Sequence, residues 1–183
     1  LEHGEWVPQA PTVVLPEIDR TDAPFFLNRR LPYTQERTPA VRLWQQRQGL
    51  GHSLLLTHGH NWERPTPASL FDAHPEWFPE RGGVRVPPTG WYKLCLGNPD
   101  LIRHFAAQVI AHFDANPAST CYSLSPSDGG GWCECARCTA LYETDPDGRR
   151  SVTPAVLQFY NGVAEIVRQR HPGKILAGYV YAA

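Results

Sequence analysis

The chain has 183 residues, 42% hydrophobic and 19% charged, which is enough for one ordinary domain with a sizeable core and argues against disorder. Seventeen basic residues against eighteen acidic ones leave a formal charge of −1, so the electrostatic footprint of a nucleic-acid or anionic-membrane partner is missing. No apolar run approaches the ~20 residues of a membrane span. The sequence lacks methionine and opens on Leu1, so it reads as a piece of a longer protein, with residues 1–23 leading in from a preceding N-terminal domain.

In chain order, residues 24–30 (PFFLNRR) read as a first strand. Thr38-Pro39 then opens a helix carrying Val41 and Trp44 and ending near Gly49, since Ser, Thr or Asn followed by Pro supplies an N-cap and a first helical residue. Residues 52–58 (HSLLLTH) read as a second strand, followed by a long loop over 59–94. Asn98-Pro99 opens the clearest helix, in which Leu101, Phe105 and Val109, flanked by Ile102, Ala106, Ile110 and Phe113, form a stripe at helical spacing that stops at Asn116-Pro117. Residues 120–126 (TCYSLSP) make a third strand. Thr153-Pro154 caps a last helix with Val156, Tyr160, Val163 and Val167 on one side, ending at His171-Pro172-Gly173 before a fourth strand over 174–181 (KILAGYVY). Apolar strands alternating with helices imply an α/β fold with a parallel sheet. The simplest architecture is the first half of a (β/α)8 TIM-type barrel with long βα loops, 1–183 forming a partial catalytic barrel domain. A small doubly wound sheet is the alternative, weakened because no G-x-G-x-x-G follows the first strand.

In both architectures the working face lies at the C-terminal ends of the strands. Those ends carry Arg29, then His58, His60, Asn61 and Trp62, then Asp128 beside Gly129-Gly130-Gly131, and finally Tyr179 and Tyr181, which alternation places on one face. Asp128 is the candidate catalytic carboxylate, although Asp before Gly is also ordinary turn chemistry. His58, His60 and Asn61 suit hydrogen bonds to hydroxyls, Trp62 suits stacking on a sugar face, and Arg29, Tyr179 and Tyr181 complete the substrate-binding set. The loop over 59–94 also holds Phe71, Trp77, Phe78, Trp91 and Tyr92. Most of these rings, Trp77 and Phe78 among them, are expected to pack, and one or two to face ligand.

The string Trp132-Cys133-Glu134-Cys135-Ala136-Arg137-Cys138 gathers three sulfurs. With Cys95, or less readily Cys121, it can form a four-sulfur structural zinc site, and disulfides are the alternative in an exported protein. Either staple would stiffen the loop that carries Asp128. The chemistry itself calls for no cofactor.

Residues 24–30, His74-Pro75-Glu76-Trp77-Phe78, 94–99 (LCLGNP) and 123–138 occur in that order and together resemble the proteins grouped as domain of unknown function 4838, part of which is classified as glycoside hydrolase family 163. Gly4-Glu5-Trp6 with Pro8 is similar to the junction that follows an α-glucuronidase-type N-terminal domain. The resemblance implies an exported, secreted or periplasmic enzyme acting on N-acetylhexosamine-containing glycans, built on a barrel whose C-terminal half is absent here. In such enzymes the substrate's acetamide serves as nucleophile, one carboxylate orients it and a second protonates the leaving oxygen. Asp128 would fill one role and the missing half the other. The rival readings are a non-catalytic carbohydrate-binding barrel and a structural metal or disulfide module.

Overall fold

The computed structural model describes residues 9–31, 38–52, 54 and 56–180. They belong to two compact units, Leu1–Leu55 and Leu56–Ala183.

In the first unit, β1 (Asn28–Arg29) and α1 (Pro39–Arg47) precede β2 (Gly51–His52). Thr38 caps α1 as expected, its Oγ1 accepting from the Val41 N–H at 3.4 Å. The expected buried parallel strand over 24–30 is corrected. Among the described residues Asn28 and Arg29 pair antiparallel with β2 and Leu27 O accepts from the Leu54 N–H at 3.3 Å, and Phe25 is 92% exposed. The cause is local. Gly49, at φ +66°, turns the chain after α1, and the Arg29 Nε–H donates to its carbonyl at 2.7 Å. The chain therefore re-enters beside the end of β1, whereas parallel pairing needs re-entry beside its start.

The second unit begins with the tail of the predicted second strand. The long loop that follows folds through two short 3-10 turns, Ala68–Leu70 and Pro75–Trp77, into a hairpin of β3 (Glu80–Arg81) and β4 (Val84–Arg85). Gly82 and Gly83 form its turn at φ +57° and +79°, a backbone that suits two-residue hairpins and favours glycine. Next come α2 (Pro99–Ala115), β5 (Cys121–Ser123), the short α3 (Ala136–Thr139), a second antiparallel hairpin of β6 (Glu143–Thr144) and β7 (Arg150–Ser151), α4 (Thr153–Arg170) and β8 (Ile175–Ala177).

β5 and β8 pair in parallel, Cys121 opposite Ile175 and Ser123 opposite Ala177, with α4 as the crossover. On the other edge of β5, His60 and Ser125 make a parallel bridge, and the Asn61 N–H donates to Ser125 O at 3.1 Å. The predicted third and fourth strands thus pair in the predicted direction, whereas the predicted second strand over 52–58 is corrected: its first residue pairs antiparallel with β1, residues 56–58 form no strand, and the parallel contact comes later, at His60. Among the described residues the array is short and does not close into a barrel, and no helix is long and apolar enough to cross a membrane.

α2 and α4 cover one face. The α2 cap is formed by Asn98 Oδ1, which accepts from the N–H groups of Asp100 and Leu101 at 2.9 and 3.4 Å. Its predicted stripe is buried at Leu101, Phe105, Ala106, Val109 and Phe113. α4 answers with Ala155, Val156, Phe159, Val163 and Val167, and Phe105 meets Phe159 edge to face at 5.2 Å. The expected Thr153 cap is corrected: α4 starts at Thr153 itself, Val152 stands at the cap without a side-chain bond, and the Thr153 N–H donates to Ser151 Oγ at 3.3 Å. With Pro154 at the second helical position, the serine two residues upstream serves the first free N–H.

Beyond β8, Gly178 lies under the Tyr160 ring, where an added Cβ would stand 2.5 Å from Tyr160 Cε2. The Tyr160 hydroxyl donates to Tyr179 O at 2.9 Å and so pins the chain leaving the sheet. Gly178→Ala is expected to destabilise by ~1–3 kcal/mol through this overpacking. The cost should largely vanish in a Tyr160→Ala background, and denaturant melts of the four combinations check it.

Candidate functional site

Three serines build the strand ends. Ser123, Ser125 and Ser127 are buried at alternate positions, and so share one face of an extended segment, while Tyr122 and Leu124 enter the core on the other. Each hydroxyl donates to a carbonyl of a neighbouring segment: Ser123 to Gly59 at 2.5 Å, Ser125 to His58 at 2.7 Å, Ser127 to Tyr92 at 2.6 Å. Ser125 Oγ also accepts from the Tyr179 N–H at 3.1 Å. A buried hydroxyl without a partner is costly, so these bonds fix the segments around residues 58, 92, 125 and 179 against one another.

At the end of this ladder sit His58, His60, Asp128, Tyr179 and Trp91. His60 Nδ1–H donates to Pro126 O, which fixes the tautomer because a carbonyl can only accept. Its Nε2 therefore faces outward, 3.3 Å from Asp128 Oδ2, a contact that is attractive when a proton lies between them. The Tyr179 ring stands 5.3 Å from His58 and 5.5 Å from His60, and its hydroxyl shares a hydrogen bond of 2.7 Å with His58 Nδ1. Trp91, 63% exposed, lies with its ring centroid 5.3 Å from that of His60. A carboxylate, two imidazoles, a phenol and an exposed indole can orient a polar ligand and cover an apolar face of it.

Trp62 does not join them. Its expected stacking on a sugar face is corrected: the ring is 0% exposed, its Nε1–H donates to Leu124 O at 2.7 Å, and Trp132 and Phe159 meet it edge to face. The indole N–H found a strand carbonyl, and that bond turns the ring into the core. Trp77 and Phe78 pack, as expected. Asn61 donates to Ser123 O at 3.0 Å and lines a cleft with Arg64 and His112 that His60 also borders. Arg29 belongs to the first unit, where its guanidinium bonds Phe26 O and Gly49 O. Tyr181 lies outside the described residues.

Sequence reasoning passed over Lys93. It is 3% exposed, and its Nζ donates to Ser127 O and to Asp128 O, the latter at 3.2 Å, while resting 4.6 Å above the Trp132 ring. Burial pushes its pKa down, against the pull of the Asp128 and Glu63 carboxylates. The missed signal is a charged residue inside the apolar run Trp91-Tyr92-Lys93-Leu94-Cys95-Leu96, a position that needs polar partners.

Cys95, Cys133, Cys135 and Cys138 form a closed, buried cluster whose sulfurs all lie within 4.8 Å of one another, and these residues can hold a metal ion. Cys95 Sγ stands 3.6 Å from Cys135 Sγ and 3.7 Å from Cys138 Sγ. A disulfide needs ~2.05 Å, whereas four thiolates ~2.3 Å from one zinc stand ~3.8 Å apart. Backbone N–H groups point at the sulfurs, Gly97 to Cys138 and Glu80 to Cys133, both at 3.3 Å, and Arg85 Nη1 reaches Cys133 Sγ at 3.8 Å. Hydrogen bonds from Cys138 and Cys95 hold the Cys133 thiol well below its usual range, and the same sharing pushes Cys138 well above it. A bound cation would replace those shared protons. The fourth cysteine of the cluster is thus Cys95. Cys121 lies elsewhere, its Sγ directed at Thr57 O at 3.5 Å.

A family model described as Domain of unknown function (DUF4838) matches residues 2–183. The chain belongs to the DUF4838 family. No curated protein and no solved structure matches it. In this DUF4838 chain three of the four strings that carried the resemblance lie in the second unit, and residues 24–30 lie in the first. Residues 94–99 supply Cys95 and the α2 cap, His74 stacks on Trp77 at 3.8 Å, and 123–138 supply the serine ladder, Asp128 and three of the cluster's cysteines.

Gly97 lets the two cysteine-bearing arms approach, since a Cβ there would meet the Arg137 carbonyl carbon and Cβ at 3.0 Å. Gly97→Ala is expected to cost ~1–3 kcal/mol and to make the four clustered thiols react faster with a thiol reagent. Denaturant melts and timed thiol titration of the folded protein check both, with Cys121 as the internal control.

Proposed function

We propose that this chain is the N-terminal half of a (β/α)8 barrel in a glycoside hydrolase acting outside the cytoplasm on N-acetylhexosamine-containing glycans, with Asp128 at the reacting subsite and a zinc ion on its four clustered cysteines. The observation that carries this reading is the His60–Asp128 contact at 3.3 Å, set at the C-terminal ends of parallel segments beside an exposed indole. Active sites of barrels lie at those ends. Pyranoses present an apolar ring face to an indole and hydroxyls to imidazoles and phenols, and Trp91, His58, His60 and Tyr179 offer those surfaces. The family membership is consistent with this reading and leaves the reaction open.

In the proposed chemistry the acetamide oxygen attacks the anomeric carbon as the glycosidic C–O bond breaks, a departure from the usual two-carboxylate scheme. Asp128 holds the acetamide N–H and stabilises the positive charge that develops on it. A second acid, contributed by the C-terminal half of the barrel, protonates the leaving oxygen, and water then opens the cyclic intermediate. A zinc held by Cys95, Cys133, Cys135 and Cys138 would serve as a staple and would take no part in the reaction, since four protein sulfurs would leave substrate no place on it.

The test is hydrolysis of complex N-glycans and chitooligosaccharides by the full-length protein that includes the C-terminal half of the barrel. Asp128→Asn is expected to lower turnover ~10²–10³-fold, the scale of a lost preorganised charge, with an unchanged melting temperature. Wild-type turnover in this variant would return Asp128 to turn chemistry, at which Asn is equally good. Trp91→Ala is expected to raise KM ~10-fold, about 1.4 kcal/mol of lost ring contact, with kcat nearly unchanged. Glycan binding without cleavage by the wild type would favour the non-catalytic reading.

A further inference from the structure

We propose that Lys93 is the positioning residue of the Asp128 carboxylate. The proposal rests on the strand-end site argued above and adds a residue to it. The Lys93 ammonium donates to the carbonyls of Ser127 and Asp128, the two peptide groups that flank the Asp128 Cα. Peptide groups are planar, so holding both fixes φ and ψ at Asp128 and with them the direction of its Cα–Cβ bond. Gly129 and Gly131 follow at φ +81° and +87°, in backbone that tolerates many conformations.

The lysine is itself held. It is 3% exposed, and the Trp132 ring lies 4.6 Å from Nζ. The Glu63 carboxylate acts on it electrostatically alongside Asp128, and Glu63 Oε1 is buried with no hydrogen-bond partner. A charge this deeply buried is retained only where it is paired and hydrogen-bonded. The Ser127 hydroxyl, bonded to Tyr92 O at 2.6 Å, ties the same two segments one residue away. Lys93 therefore locks the loop over 91–95 to the turn carrying Asp128 and sets the 3.3 Å separation of Asp128 Oδ2 from His60 Nε2.

The experiment is a double-mutant cycle in the full-length protein that includes the C-terminal half of the barrel, with Lys93→Met, Asp128→Asn and their combination, assayed on chitooligosaccharides and a complex N-glycan. Lys93→Met is expected to lower kcat ~10–100-fold, the scale of a misplaced reacting group, with little change in KM. In the Asp128→Asn background the same substitution should cost less than about threefold, because a residue that acts through Asp128 has nothing left to position. Losses that multiply, or wild-type kcat in Lys93→Met, would overturn the proposal. A second arm needs no substrate: hydrogen exchange at amides 128–131 should quicken in Lys93→Met while α2 and α4 keep their protection. Unchanged exchange there would also overturn it. If the wild type cleaves neither glycan, the hydrolase reading fails and the exchange arm alone decides Lys93. If Lys93→Met does not fold, Lys93→Gln, which keeps one donor for two carbonyls, takes its place with the same expected outcomes.

Discussion

Four sulfurs brought within 4.8 Å of one another join two stretches of chain that otherwise lack regular structure. Cys95 belongs to the run that leads into α2, and Cys133, Cys135 and Cys138 to the turn that follows β5 and opens α3. Both stretches deliver the strand-end groups. Trp91 and Lys93 stand four and two residues before Cys95, and Asp128 stands five before Cys133. Fixing the cysteines therefore fixes both walls of the candidate site. Without them, the glycines over 129–131 would leave the chain beyond Asp128 less restrained. The hairpin of β3 and β4 is drawn into the same knot, through the Glu80 N–H and the Arg85 guanidinium on Cys133 Sγ.

The interior beneath the site is polar, and that polarity has a structural cost met by partners. Three serine hydroxyls, a lysine ammonium and an indole N–H all enter the protein and all find main-chain carbonyls. Such a network fixes one arrangement of the segments it bridges, because any shift leaves a buried donor unsatisfied. The apolar core formed by α2 and α4 supplies stability on the opposite face of the sheet. The polar side supplies registration, and the candidate site lies at its open end.

The helices were legible because their ends are chemical. Asn98-Pro99 and Asn116-Pro117 bracket α2, His171-Pro172-Gly173 closes α4, and the apolar stripes between them are the ones buried. The parallel pairing of the third and fourth strands followed from alternation with helices. Less legible was whatever depends on a single long-range hydrogen bond. Trp62 sits among His60, Asn61 and Glu63 and reads as a surface ring, yet the Leu124 carbonyl draws its N–H into the core. Residues 24–30 read as a buried strand, yet Arg29 clamps the end of α1 and reverses the pairing. The hairpin of β3 and β4 went unread although Gly82-Gly83 marks its turn. Of the strand-end residues named from sequence, His58, His60, Asp128 and Tyr179 do come together, because each follows a strand or its continuation. Trp91 and Lys93 come from the long loop, whose path is set by the cysteine knot rather than by periodicity.

X-ray absorption at the zinc edge, on the full chain purified without added metal, tests the central constraint most directly. The account predicts one zinc per chain with four sulfur neighbours at ~2.3 Å, a distance that reproduces the observed sulfur spacings of 3.6 and 3.7 Å. A zinc shell containing nitrogen or oxygen, or a metal-free protein whose mass shows hydrogens lost to disulfides, would contradict it.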